Sequence, residues 1–196
     1  MKPVASKSLE RLLVSLVVAL LAGCFARQPP KQPPTQSPTQ PALPEPRVCV
    51  ETHFSPEEQI APTIVKLIDG AKRTLDIAAF AYTHPDIAAA TIRAHERGVR
   101  VQMIMDTTNA SARDSLVPDL LNAGIEVRVR HKRGDQHSKY LVIDQSIVVT
   151  GSFNFTIRAD ERNSENLLVI RNSPEVVKAF LDDYQTLRAD SVAKNR

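Results

Sequence analysis

The chain has 196 residues, among them only two cysteines, six glycines and no tryptophan. Cys24 and Cys49 cannot build a disulfide framework, and the histidines His53, His84, His95, His131 and His137 are scattered along the chain. Neither residue type has the grouped spacing of a zinc site, so no metal or other cofactor is expected. The N-terminal apolar run from Leu12 to Ala22 is eleven residues long, well short of the about 20 needed to span a bilayer. No internal repeat is present. An excess of one charge is also missing: the formal net charge is +3, and it falls to +1 once residues 1–23 are set aside. Bulk charge therefore does not mark a polyanion binder, and any such surface must be local.

The N-terminal segment reads as an address. Lys2, Lys7 and Arg11 precede the apolar run, which has the length of the h-region of a secretory signal. Leu21-Ala22-Gly23-Cys24 follows and resembles a bacterial lipobox, in which Cys24 would be lipidated and become the mature N-terminus. Residues 28–46 hold eight prolines among Gln, Thr and Ser, a composition that cannot bury a core and forms an extended tether. The expected organisation is a signal peptide over 1–23, lipidated Cys24 and tether over 24–47, and one domain over 48–196. The expected location is the bacterial cell envelope, membrane-bound through the lipid. Phe25 follows the cysteine where an aspartate would suggest inner-membrane retention, which mildly favours the outer membrane. With Cys24 lipidated, Cys49 has no partner in its own chain.

The domain alternates helical and strand patterns. PEEQIAPTIVKLIDGAK reads as a helix with Pro56 in its first turn. TLDIAAFAY reads as a strand, PDIAAATIRAHERG as a helix ending at Gly98, and VRVQMIMD as the next strand. A helix near Asp114–Asn122, a strand Ile125–Val129, a hairpin, a strand Asn166–Ile170 and a helix Pro174–Leu187 complete the pattern. This alternation predicts an α/β domain with a mixed β-sheet flanked by helices.

The hairpin carries the chemistry. His137-Ser-Lys139 leads into the apolar run Tyr140–Ile143; Asp144-Gln145-Ser146 is a turn signal; Ile147–Thr150 returns, and Gly151-Ser152-Phe153-Asn154 follows. His137 and Lys139 share a strand face. If Gln145 and Ser146 form a two-residue loop, Lys139 pairs with Ser152 and His137 with Asn154, and the four polar groups share one patch. Asp144 then lies roughly 23 Å away on the other face, as a turn or supporting residue. Gly151 would let backbone or ligand approach closely.

Such a patch suits a phosphodiester. A neutral histidine attacks phosphorus, lysine carries charge for the nonbridging oxygens, and asparagine and serine donate hydrogen bonds. A histidine nucleophile needs its other ring nitrogen held by an acceptor, and Glu165 is the best placed carboxylate. Tyr140, Phe153 and Phe155 beside the motif read as core packing. His53, His84, His95 and His131 lack comparable surroundings and read as structural. Arg128, Arg130, Lys132 and Arg133 lie just before His137 and are candidates to bind backbone phosphates.

His137, Lys139, Asp144, Gly151, Ser152 and Asn154 match the signature of the phospholipase D superfamily. From about Val48 to the C-terminal helix the chain most resembles its small bacterial nuclease branch, through IDGAKRTLDIAAFAYTHPDIAAA, RGVRVQMIMD, GIEVRV and TGSFNFTIRADERNSENLLVI. Mitochondrial relatives with a zinc-binding insert are a poorer match. The resemblance implies a phosphohistidine intermediate, no metal, and a site assembled from two motif copies, with Glu165 at the position of an additional active-site carboxylate. This chain has one copy. One histidine cannot be nucleophile and leaving-group acid in the same step, so a two-fold homodimer is expected to bring both His137 side chains together. The expected function is a metal-independent, weakly sequence-specific endonuclease acting on DNA, with RNA as an open alternative. A phospholipid hydrolase and a noncatalytic DNA-binding surface lipoprotein are the competing readings.

Overall fold

A computed structural model describes residues 47–130 and 134–195. The signal, Cys24 and tether, together with His131, Lys132 and Arg133, lie outside the described residues. Eight strands form one sheet in the order β1-β7-β6-β5-β2-β3-β4-β8. They are β1 Cys49–Ser55, β2 Thr74–Ala79, β3 Arg100–Asp106, β4 Glu126–Arg130, β5 Tyr140–Ile143, β6 Ile147–Gly151, β7 Glu165–Arg171 and β8 Ser191–Ala193. β2, β3 and β4 run parallel and every other pairing is antiparallel. The mixed sheet expected from the alternating pattern is the one observed.

Helices cover both faces. α1 (Ile60–Gly70), α2 (Pro85–Glu96) and α3 (Val117–Asn122) pack on one side; α5 (Pro174–Ala189) packs on the other, and the short α4 (Ile157–Glu161) precedes β7. The period-two rule sorts the strand residues between the two cores. Ile77, Met103, Leu141 and Val149 face the α1–α3 side, while Ala78, Ile104, Val142 and Val148 meet Val177 and Tyr184 of α5. Both faces being covered is why β5 reads as an unbroken apolar run and why β2 is apolar on both faces but for Asp76. In α1 the buried Ile60, Ile64 and Ile68 recur at the i, i+4, i+8 spacing that makes one apolar stripe.

Three expectations change. The first helix begins at Ile60 with Gln59 as N-cap, so Pro56 lies in the preceding turn and not inside the helix. The third helix covers Val117–Asn122, where Pro118 fits an opening turn; its expected first residues, 114–116, are loop, and a 3-10 turn lies earlier at Asn109–Ser111. Strands β1 and β8 were not expected at all. Both lie at sheet edges and are largely exposed, so neither has a core-facing apolar run.

The topology sets the site. The C-terminal ends of β2, β3, β4 and β6 and the N-terminal ends of β5 and β7 share one edge of the layer, the usual ligand edge of a parallel sheet. The β5–β6 turn sits at the opposite edge, against Thr74 at the start of β2.

Candidate active site

The hairpin closes one residue out of the expected register. Ile143 pairs with Ile147 and Tyr140 with Thr150, so Asp144, Gln145 and Ser146 all lie outside the ladder. Asp144 (φ 52°) and Gln145 (φ 53°) both take left-handed backbone, and the Ser146 N–H donates to the Ile143 carbonyl at 3.0 Å. They form the tight turn, and Ser146 is the additional residue. The Lys139–Ser152 and His137–Asn154 pairs therefore do not form. A one-residue shift would invert every side chain if the ladder continued, but it stops at Tyr140–Thr150, and the chain beyond re-aims freely.

Asp144 does support the turn, as its distance from the patch suggested. Its carboxylate accepts the backbone N–H groups of Lys72 (2.9 Å), Arg73 (2.6 Å) and Thr74 (3.0 Å). Partial burial pushes its pKa up, but the three backbone donors outweigh it and hold the carboxyl below the ordinary aspartate range.

At the other edge, His137 is exposed and Lys139 is buried. Lys139 Nζ lies 3.0 Å from His137 Nδ1 and donates to the His137 carbonyl at 2.6 Å. Phe80, just past the end of β2, stacks on His137 with ring centroids 4.4 Å apart. Lys139 Nζ stands 5.0 Å from the centre of the same ring. Burial lowers the Lys139 pKa, and the negative charge of Glu165 opposes that shift. The motif gave no signal for Phe80; only its position at the exit of a strand would have marked it. A hollow of about 380 Å³ opens beside these residues toward Phe180 and Asp183 of α5.

Glu165 is not the acceptor of the His137 ring within this chain. Its Oε2 accepts from the Ser152 hydroxyl at 2.5 Å and its Oε1 from Asn163 Nδ2 at 2.9 Å. Gly151 pairs with Leu167, which places Glu165 beyond the end of β6, where Ser152 meets it first. The Ser152 hydroxyl also accepts from the Asn166 N–H at 3.0 Å. Ser152 therefore positions Glu165 and β7 before it can serve as a phosphate donor. Gly151 is required by backbone: a Cβ there would lie 2.1 Å from the Asn166 carbonyl oxygen. Asn154 is different. Its Oδ1 is buried with no partner and its side chain makes no hydrogen bond among the described residues. The half-buried amide is thus uncommitted, with Nδ2 as its only hydrogen-bond donor.

The basic residues before the motif divide. Arg128 donates from Nε to Ser191 Oγ (2.9 Å) and from Nη2 to the Ser191 carbonyl (2.6 Å), and it pairs with Glu126. It fastens β8 to β4 and is not a free phosphate ligand. Arg130 donates to the Asp135 carbonyl. Tyr140, Phe153 and Phe155 are all buried, as expected of core residues. His53 bonds Glu58, and His84 is buried with Nε2 3.8 Å from Asp160. Among the described residues no group of His, Cys, Asp and Glu has the arrangement to hold a metal.

An exposed histidine beside a buried lysine, with an unpartnered asparagine at the same sheet edge, is a phosphoryl-transfer arrangement. Residues 64–188 match the family model described as "Cardiolipin synthase, PLD-like domain". The chain belongs to the phospholipase D superfamily and is a phosphodiesterase of that class. It is 34% identical over 155 residues to a mitochondrial cardiolipin hydrolase of Xenopus laevis, covering 74% of this chain and 73% of that one. It is 36% identical over 140 residues to a phospholipase D of Rickettsia bellii, covering 71% and 69%. The crystal structure of Nuc, a phospholipase D family member from Salmonella typhimurium, superposes with a TM-score of 0.73 at 33% identity, covering 76% of this chain and all of Nuc. These identities do not separate the mitochondrial relative from the bacterial ones, contrary to the preference expected from the sequence.

Proposed function

We propose that the chain is a metal-independent, weakly sequence-specific endonuclease of the cell envelope that cleaves through a phosphohistidine at a homodimeric site. The observation that carries this reading is the exposure of His137 at an open sheet edge, next to a lysine it touches at 3.0 Å. An exposed nucleophile suits the backbone of a polymer; a lipid chain calls for an enclosed apolar channel.

Nε2 of His137 attacks phosphorus and the O–P bond to the leaving oxygen breaks. His137 of the partner subunit protonates that oxygen and then takes a proton from the water that hydrolyses the phosphohistidine. A charged Lys139 donates to Nδ1 and leaves the ring hydrogen on Nε2, the wrong tautomer for attack. The incoming phosphate draws the ammonium onto its nonbridging oxygens and frees Nδ1, which takes a proton from solvent as Nε2 gives its own up to solvent, leaving the Nε2 lone pair to attack. The open Asn154 amide donates to the same oxygens. Glu165 acts on Lys139 through its charge and on Ser152 through its hydrogen bond. The N-terminal segment supports the location: a lipidated Cys24 and a proline-rich tether of up to roughly 60 Å would hold the domain off a membrane.

The test is cleavage of single- and double-stranded DNA and RNA by purified protein in EDTA, with His137→Ala as control. Cleavage that persists in EDTA and vanishes in the variant is the expected result. The names of the Xenopus and Rickettsia relatives favour a second substrate, a phospholipid headgroup. Turnover of cardiolipin vesicles with none of nucleic acid would replace the first reading by the second.

A further inference from the structure

A groove of about 780 Å³ runs from the catalytic edge between the loop that follows β2 and helix α4. Each wall begins within two residues of the site: Ala81 and Thr83 follow Phe80, and Thr156 follows Asn154. The groove is also lined by Asn163, whose amide holds Glu165. Two exposed arginines line it, Arg158 in α4 and Arg162 at its C-cap, and the exposed Arg113 stands between the lining residues Ala112 and Asp114.

These arginines differ from others on the domain. Arg93, Arg100, Arg171 and Arg188 are ion-paired with Asp69, Asp76, Glu51 and Glu126. The guanidinium groups of Arg113, Arg158 and Arg162 have no partner at all among the described residues. Asp114 and Glu161 also line the groove but pair with none of them. Arg158 lies inside α4 and Arg162 caps its C-terminus with non-helical backbone, and both line the same groove. The acids break the positive surface into discrete points, which fits spaced phosphates better than a continuous anionic sheet.

We propose that Arg158 and Arg162, with Arg113 at the rim, bind the phosphates that flank the scissile one on a nucleic-acid strand lying in this groove. A single phosphodiester is handled at His137 and has no use for further guanidiniums; a polymer places additional phosphates along the groove. This assignment rests on the nucleic-acid reading above, and it moves the backbone contacts from the segment before His137 to the segment after Asn154.

The test is binding of a labelled twelve-nucleotide single-stranded DNA by the full chain carrying His137→Ala, which binds without cutting, over a series of salt concentrations. The double variant Arg158→Gln/Arg162→Gln in that background should flatten the slope of log K against log salt by about 1.4, at about 0.7 per phosphate contact. Arg158→Lys/Arg162→Lys should keep the slope, because the charge is kept. Thermal melting and sedimentation of each variant are recorded alongside. An unchanged slope in a folded Gln variant overturns the groove assignment while leaving the nuclease reading intact, since the parent still binds. Loss of dimer in the Gln variant also overturns it, by showing an interface role. No DNA binding by the parent, with binding to cardiolipin vesicles instead, overturns both.

Discussion

The ring of Phe80 lies 4.4 Å from that of His137, tilted by 53°, and Lys139 Nζ stands 5.0 Å from the centre of the same phenyl group. One aromatic side chain at the end of β2 therefore touches both motif residues that lead into β5. A cation over an aromatic face contributes about 0.5–2 kcal/mol, according to how far it is desolvated. Phe80 acts as a positioning residue: it sets the plane of the imidazole and holds the ammonium beside it.

Replacing Phe80 by leucine keeps apolar bulk and removes the π face. The His137 ring-proton NMR signals should move downfield as the ring current is lost, and kcat should fall about tenfold with KM little changed. A purely structural residue would lower stability without moving the His137 signals. Unchanged signals in a folded Phe80→Leu protein would reject the positioning role, whatever substrate the enzyme proves to cleave.

Asp144 makes the second prediction, on stability. Its folded pKa is lowered by three backbone N–H groups. The stabilisation it supplies is thus complete above the unfolded aspartate value of about 4 and is lost as pH falls through the folded value. Asp144→Ala should cost about 1–2 kcal/mol at neutral pH, a figure reduced by partial solvent exposure. The variant should also flatten the dependence of unfolding free energy on pH below about 4. Urea titrations of both proteins from neutral pH to the acid limit check it. Parallel curves would mean that the turn does not depend on the carboxylate charge.

The same aspartate shows what a sequence can and cannot disclose. The runs that form β2, β3, β5 and β6 are legible because apolar residues dominate both of their faces, with Asp76 and Gln102 the interruptions in β2 and β3. The motif residues are legible because their identities are specific. The hairpin register is not, because Asp144 is held by Lys72, Arg73 and Thr74, about 70 residues earlier in the chain. No local rule distinguishes a two-residue loop from a tight turn followed by an additional residue when the tie is that distant. The partner of Glu165 is hidden for the same reason: the family resemblance marks the residue, but which groups it bonds is decided by where β6 stops. Phe80 lies outside the motif and becomes visible only when β2 and β5 pair.

Arg128 is the clearest case of a charge with its role set by a distant element, here the edge strand β8. Arg128→Gln should lose its two hydrogen bonds to Ser191 and its pairing with Glu126. The expected cost is about 1–2 kcal/mol of stability, measured in urea. The salt dependence of oligonucleotide binding should stay as it was. A flatter salt slope with unchanged stability would restore Arg128 to the substrate and remove it from the β4–β8 clamp.

The proposed dimer leads to the strongest quantitative expectation. In the proposed mechanism each catalytic centre uses the His137 of both subunits, one to attack and one to protonate the leaving oxygen. Wild-type and His137→Ala chains, unfolded together and refolded at equal concentration, assort at random into closed two-fold pairs. Only pairs with two intact histidines can turn over, so activity should fall to about a quarter of that of the same total amount of wild-type protein. Two independent sites would leave about half, and so would a monomer. The full mixing curve separates the cases further, being quadratic in the wild-type fraction for a shared centre and linear otherwise. Sedimentation of the mixture confirms that pairs have formed. A linear curve from a dimeric species would mean that one chain completes the chemistry alone. The leaving-group acid would then have to be sought among the groups of the same chain that border His137, with Lys139 first, since burial already lowers its hold on a proton.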